Sequence, residues 1–180
     1  MKILSLITEY NPFHNGHIYH INTAKALTSP DITIAIMSGN FTQRGEIAIT
    51  NKFIRTKAAL RHVDLVVELP ILNAVSSADD FARGGVHLAN TLQSTDLVFG
   101  SETGQIDLLK QAAYVAVNLK DSPEFNALLK QGYSYPRAMS ELSRNSQFTS
   151  PNDTLGIAYI NAINEMNAPI TPNTIQRMGN

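Results

Sequence analysis

An α/β fold built on a parallel sheet is what this 180-residue chain predicts, and three observations carry it. Short apolar runs alternate with stretches of helical spacing, as strand–helix units require. The short runs are apolar throughout, the pattern of strands buried on both faces. Turn residues and helix caps fall at the joints between them. The expected architecture is a Rossmann-like sheet of about five parallel strands with helices on both faces, plus a small helical carboxyl-terminal part.

The elements follow in order. Residues 2–8 read as the first strand, and residues 17–27, with Ile18, Ile21, Ala24 and Leu27 on helical spacing, as the first helix. The turn Ser29-Pro30-Asp31 precedes a buried strand at 33–37. A helix over 53–61 follows, with Asn51 placed to cap it. Residues 65–68 form a third strand stopped by Pro70, residues 78–92 a longer helix, and residues 96–99 a fourth strand ending at Gly100. A helix over 106–119 closes this series, so residues 1–120 make the expected core. Residues 121–180 make a helical appendage of the same domain that returns to the core. Residues 122–129 and 135–142 read as short helices, Ser150-Pro151-Asn152-Asp153 as the cap of a helix over 155–166, and residues 174–178 as a last strand. A strand pattern containing Arg177 so close to Asn180 suggests a shortened chain whose further domain is absent.

Composition narrows the class. Hydrophobic content of 43% and charged content of 16% describe a soluble globule with a real core. A formal charge of −1 supplies no global basic field, so only a local patch could meet nucleic acid. The absence of cysteine removes disulfides and cysteine-ligated zinc and fits a reducing compartment. No signal-like amino terminus and no bilayer-length apolar run are present, so the expected location is the cytoplasm, with no membrane partner.

The run Glu9-Tyr10-Asn11-Pro12-Phe13-His14-Asn15-Gly16-His17 stands between the first strand and the first helix. A glycine there lets the backbone approach a ligand closely. The free amides and dipole of the helix start favour an anion. Two histidines add donors that can follow charge as it builds on a reacting phosphorus. The combination points to nucleotidyl transfer. His-x-Gly-His arises by chance as well, and its weight comes from the order strand, turn, motif, helix.

Other candidates lie in loops at the same carboxyl edge of the sheet. Residues 38–46 carry amides, a hydroxyl and Arg44, which could grip a phosphate or carboxylate or pair with Glu46. Ser38, Asn40 and Arg44 are therefore candidate contacts for a carboxylate, such as acetate would present, or for a phosphate. Asp79-Asp80 looks like a metal pair but opens a helix, where carboxylates are favoured anyway. His20, His62 and His87 show no zinc spacing, and no protein metal site is expected. His20, one turn beyond His17, could reach the same pocket or serve the structure. Tyr133 and Tyr135 could stack on a base or simply pack.

The run at 9–17 resembles the HxGH motif of the class I nucleotidyltransferases and, more narrowly, that of the tRNA(Met) cytidine acetate ligases. The likeness continues through Met37-Ser38-Gly39-Asn40-Phe41-Thr42-Gln43-Arg44-Gly45-Glu46, Asp64-Leu65-Val66-Val67-Glu68-Leu69-Pro70, Phe99-Gly100-Ser101-Glu102 and Ser150-Pro151-Asn152. It implies a two-step reaction. ATP and acetate give acetyl-adenylate and pyrophosphate, and the acetyl group then passes to the wobble cytidine of elongator tRNA(Met). It also implies nucleotide binding by Ile7, Thr8, Glu9, Tyr10, Asn11, Pro12, Phe13, His14, Asn15, Gly16, His17, Ile18, Tyr19 and His20, with Gly100, Asn152 and Arg177. His14 and His17 would be catalytic, and the chemistry calls for Mg2+ on the phosphates. Many phosphate-accepting relatives carry a hydroxyl where this chain has Glu9 and an acid where it has Asn11. A carboxylate at Glu9 repels a phosphate nucleophile and favours carboxylate activation over coenzyme synthesis. The alternatives are a nucleotide-binding module without complete activity and a small-molecule adenylyltransferase of the coenzyme type.

Overall fold

The structure, a computed structural model, describes residues 1–143 and 146–177. Its five strands are β1 (Ile3–Thr8), β2 (Ile32–Ser38), β3 (Leu65–Leu69), β4 (Asp96–Ser101) and β5 (Thr171–Gln176). They form one sheet in the order β3-β2-β1-β4-β5. Every neighbouring pair is parallel. The helices are α1 (Asn15–Thr28), α2 (Lys52–Ala59), α3 (Ile71–Ala74), α4 (Ala78–Thr91), α5 (Ile106–Leu119), α6 (Pro123–Lys130), α7 (Tyr135–Ser143) and α8 (Pro151–Glu165). The five-stranded, doubly covered parallel sheet is the predicted architecture.

The continuous apolar runs are explained by two cores, one on each side of the sheet. Leu4, Leu6, Ala35, Met37 and Val98 meet Ile21 and Ala24 of α1 and Ala59 of α2. Ile3, Ile34, Ile36, Leu97 and Phe99 meet α4, α5 and α8 on the opposite face, and Phe125, Ala138, Met139 and Phe148 extend that core. Ser5, a polar side chain in the middle of β1, is fully buried, and its hydroxyl lies 2.6 Å from that of Ser94. That contact meets the requirement that a buried hydroxyl find a partner. Close helix-on-strand packing is visible at Gly85, where a Cβ would lie 2.5 Å from the Ile7 side chain.

Several boundaries differ from the expectation, each for a physical reason. Helix α1 starts at Asn15, two residues early, because His14 supplies the cap. Strand β4 runs through Gly100 to Ser101. Strand β5 starts at Thr171, and Arg177 sits just past its end; Met178 lies outside the described residues. The stretch Thr171-Pro172-Asn173 reads as loop, but an edge strand pairs on one side only and tolerates a proline. Helix α8 starts at Pro151, a favoured first position, while Ser150 makes no side-chain cap bond. Pro70 is followed by the short helix α3, which the sequence reading did not anticipate. Asn51 caps α2 as expected, its Oδ1 accepting from the amides of Phe53 (2.7 Å) and Ile54 (3.3 Å).

The order of the strands sets the place of the site. Chain connectivity reverses direction between β1 and β4, which makes their carboxyl ends a switch point. Those two strands are registered only at Leu4↔Asp96 and Ser5↔Leu97, against six pairs between β1 and β2. Beyond Ser5 they stop pairing, the arrangement that in such sheets leaves a ligand crevice between the strand ends.

Candidate active site

The chain leaves β1 at Thr8 and turns sharply at Tyr10, whose φ of 48° is left-handed. Tyr10 itself is buried, so it forms a wall of the site instead of reaching into it. Its ring lies edge-on to Phe13 (4.9 Å) and to His17 (4.8 Å). Phe13 in turn stacks on His62 at 5.5 Å, which gives His62 a structural place under the turn.

Two histidines then open α1 by capping each other's backbone. His14 Nδ1 accepts from the Gly16 amide at 3.0 Å, and His17 Nδ1 accepts from the His14 amide at 3.2 Å. This is a capping box in which imidazoles replace the usual hydroxyl and carboxylate. The consequence is chemical. With both Nδ1 atoms accepting, a neutral ring must carry its proton on Nε2. The rings stack with centroids 3.8 Å apart, so two Nε2–H donors stand together at the helix start. Burial, reinforced by the charges of His14, His20 and Arg177, pulls the His17 pKa down to about 4. His17 is thus a neutral donor at ordinary pH, not an imidazolium.

The opposite wall of the crevice comes from β4 and β5. The stem of Arg177 lies against Gly100, where a Cβ would come within 3.2 Å of it. Glycine at position 100 therefore lets the arginine cross the strand end, and its charge reaches His17 and His20. His20 is held neutral mainly by burial, against a backbone contact to Phe99 that favours the charged ring. Its Nε2 is buried with no hydrogen-bond partner.

Asn152 enters through Glu102. Its Nδ2 donates to Glu102 Oε1 at 2.7 Å, and the Asp153 amide donates to Glu102 Oε2 at 2.9 Å. Asp153, 1% exposed, returns the contact by accepting from the amides of Glu102 (2.8 Å) and Thr103 (3.2 Å). A carboxylate from the β4 loop thus serves as the distant cap of α8. The structure brings His14, His17, His20, Gly100 and Arg177 into one crevice and sets Asn152 beside its rim.

The other expected residues fall into place differently. Asn15, Pro12 and Gly16 are exposed at the turn, and Tyr19 is exposed on α1, whereas the Ile7 side chain points into the packing beside Gly85. Glu9 Oε1 accepts from the Gln43 amide at 2.6 Å, and Asn11 Oδ1 from the Ile49 amide at 2.7 Å. These two bonds dock the 40–50 loop onto the motif. Ser38 is fully buried and its hydroxyl is unpartnered, while Asn40 and Arg44 are exposed. The alternative ion pair of Arg44 with Glu46 does not form; among the described residues the ion pairs are Lys52–Glu68, Arg83–Asp80 and Arg83–Glu165. Asp80 therefore has a structural role near its helix start. Tyr135 packs edge-on to Phe125, and Arg137 covers the Tyr133 ring. Sequence placed Glu102 only in a block of family likeness and Asp153 only in a helix cap, without their bonds to each other, and missed the buried Arg55 altogether. Only the recurrence of acidic residues beside Gly100 and Asn152 could have hinted at the Glu102–Asp153 bonds.

A doubly wound sheet with two backbone-capping imidazoles at its switch point is built like a nucleotidyltransferase domain. The chain belongs to the HIGH Nucleotidyl Transferase family, whose model matches residues 1–180. It is 51% identical over 178 residues to a tRNA(Met) cytidine acetate ligase of Staphylococcus saprophyticus, covering 98% of this chain and 47% of that protein. A Staphylococcus aureus (strain JH9) protein of the same name is 52% identical over 164 residues, covering 91% of this chain and 43% of its own. Among solved structures, Thermotoga maritima TmcAL bound with alpha-thio ATP superposes with a TM-score of 0.88 at 40% identity, over 99% of this chain and 47% of that one. The chain spans about half the length of the curated relatives it matches.

Proposed function

We propose that this chain carries the ATP-binding, adenylate-forming site of a tRNA(Met) cytidine acetate ligase. The observation that carries the reading is the pair of Nε2–H donors fixed by the reciprocal histidine cap, faced across the crevice by Arg177 on Gly100. ATP binds with its phosphates at the start of α1 and its nucleoside toward Gly100, Asn152 and Arg177. The acetate oxygen attacks the α-phosphorus, the bond to the bridging oxygen breaks, and pyrophosphate leaves. Charge grows on the phosphoryl oxygens in that step, and donors already oriented toward it stabilise the transition state without reorganising. In the second step the exocyclic amine of the wobble cytidine attacks the acetyl carbonyl, loses a proton, and AMP departs. Asn40 and Arg44, exposed at the carboxyl edge, are the groups available to hold the acetate carboxylate, while Ser38 is too buried to reach it.

A divalent cation, Mg2+ in the cell, would ride on the phosphate oxygens. Among the described residues no group of three His, Cys, Asp or Glu side chains converges to cage one. The cytoplasm is the setting that ATP and tRNA impose, and among the described residues no helix is long and apolar enough to cross a membrane.

The test is acetate-dependent formation of labelled acetyl-adenylate, with release of pyrophosphate, from ATP on this chain. ATP binding without acetate-dependent pyrophosphate would leave only a nucleotide-binding module. Adenylylation of a phosphate acceptor in place of acetate would make it a coenzyme-type adenylyltransferase.

A further inference from the structure

We infer that Arg55 is a positioning residue that locks the histidine turn and the 38–50 loop into one rigid edge. Its side chain is 1% exposed, yet its hydrogen bonds go to main-chain carbonyls, not to a carboxylate. Nε donates to Thr50 O at 3.1 Å, Nη1 to Glu9 O and to Ser38 O (3.2 Å), and Nη2 to Gly39 O. Four carbonyls from three chain segments are thus gathered by one guanidinium. The planar fork of arginine supplies five N–H donors in fixed directions, which a lysine ammonium cannot reproduce.

The gathered segments are the exit of β1, the exit of β2 and the entry to α2. Parallel strands end here without further ladder partners, so their terminal carbonyls need another donor. Arg55 supplies it, while the Glu9–Gln43 and Asn11–Ile49 bonds tie the same segments a second time. Between them they fix residues 9–11, from which the chain runs directly to the cap at His14. Tyr10, seated between the two sets of bonds, is the wall against which the His17 ring rests at 4.8 Å. The guanidinium therefore sets where the imidazoles stand without touching the nucleotide. This inference rests on reading the start of α1 as the nucleotide site.

The experiment compares wild type with Arg55→Lys and Arg55→Met at a temperature where each is folded by circular dichroism. Amide hydrogen exchange in the ATP-free protein comes first. The expected result is lost protection at Gln43 and Ile49 while the core amides of Leu6 and Ile36 stay protected. Uniform loss across the sheet, or no loss at the loop, overturns the positioning role in favour of general stability. ATP titration comes second, with at least a tenfold weaker affinity expected in Arg55→Lys. Wild-type affinity in both variants likewise overturns the role. Should neither variant fold, wild-type exchange decides: ATP must slow exchange at Gln43 and Ile49, and no change there overturns the coupling. A wild type that binds no ATP overturns the nucleotide reading alone, because the ATP-free exchange of Arg55→Lys still judges the arginine.

Discussion

The histidines that sequence marks for catalysis have their Nδ1 atoms committed to the backbone, which leaves each Nε2 for a ligand. That division predicts how substitution behaves. His17→Ala removes a donor aimed at developing charge, so acetyl-adenylate formation should fall about a hundredfold or more while ATP affinity changes by only a few-fold. Single-turnover rates beside equilibrium titration check this, and equal losses in both would mean that His17 serves the ground state only. The depressed pKa carries a second prediction. An unfolded histidine takes up its proton near pH 6.5, whereas folded His17 resists until about pH 4. Between those values the unfolded state binds more protons, so stability falls as pH drops through that window. His20, shifted in the same direction, adds to the fall. Urea midpoints from pH 7 to 4 should decline, and His17→Gln should flatten the decline; an unchanged slope would mean that His17 is not held neutral.

At the scale of elements, the site is assembled by bonds between chain ends that lie far apart in sequence. The carboxylates of Glu102 and Asp153 bind each other's backbone across 51 residues, fastening the start of α8 to the loop after β4. Asp153→Ala leaves the Glu102 and Thr103 amides without their acceptor. The expected cost is about 1–3 kcal/mol, read as a lower urea midpoint at unchanged slope. Nucleotide affinity should weaken too, since Asn152 leans on the carboxylate of Glu102, whose loop loses its tie to α8 in the variant. Full stability in Asp153→Ala would show that solvent replaces the carboxylate at both amides.

For the whole molecule, a net charge of −1 spread over a 180-residue domain offers little general attraction to a polyanion. The proposed transfer to tRNA(Met) then implies that part of the RNA grip belongs to the additional length of the curated relatives. A chain of the relatives' full length should bind tRNA with an affinity that falls steeply with salt, and this chain with a shallower slope. Filter binding across a salt series measures both slopes. Equal slopes would place the whole grip within these 180 residues.

The local rules of the sequence were enough for the sheet, its two covered faces and the histidine turn, because continuous apolar runs and a strand–turn–helix order are properties of neighbouring residues. Asn51 was legible as a cap for the same reason. The histidine motif at 9–17 was also fully local, and its likeness to a known family suggested the chemistry proposed for it. Tertiary structure alone decided what holds that motif in place. It brought Arg177 across Gly100 to His17, set Glu102 under α8, and buried Arg55 among four carbonyls. It also buried Ser38 completely, which no spacing along the chain foretold. Such placements depend on the order of strands and the registry of their ends, and no spacing along the chain encodes which carbonyl a buried guanidinium will find.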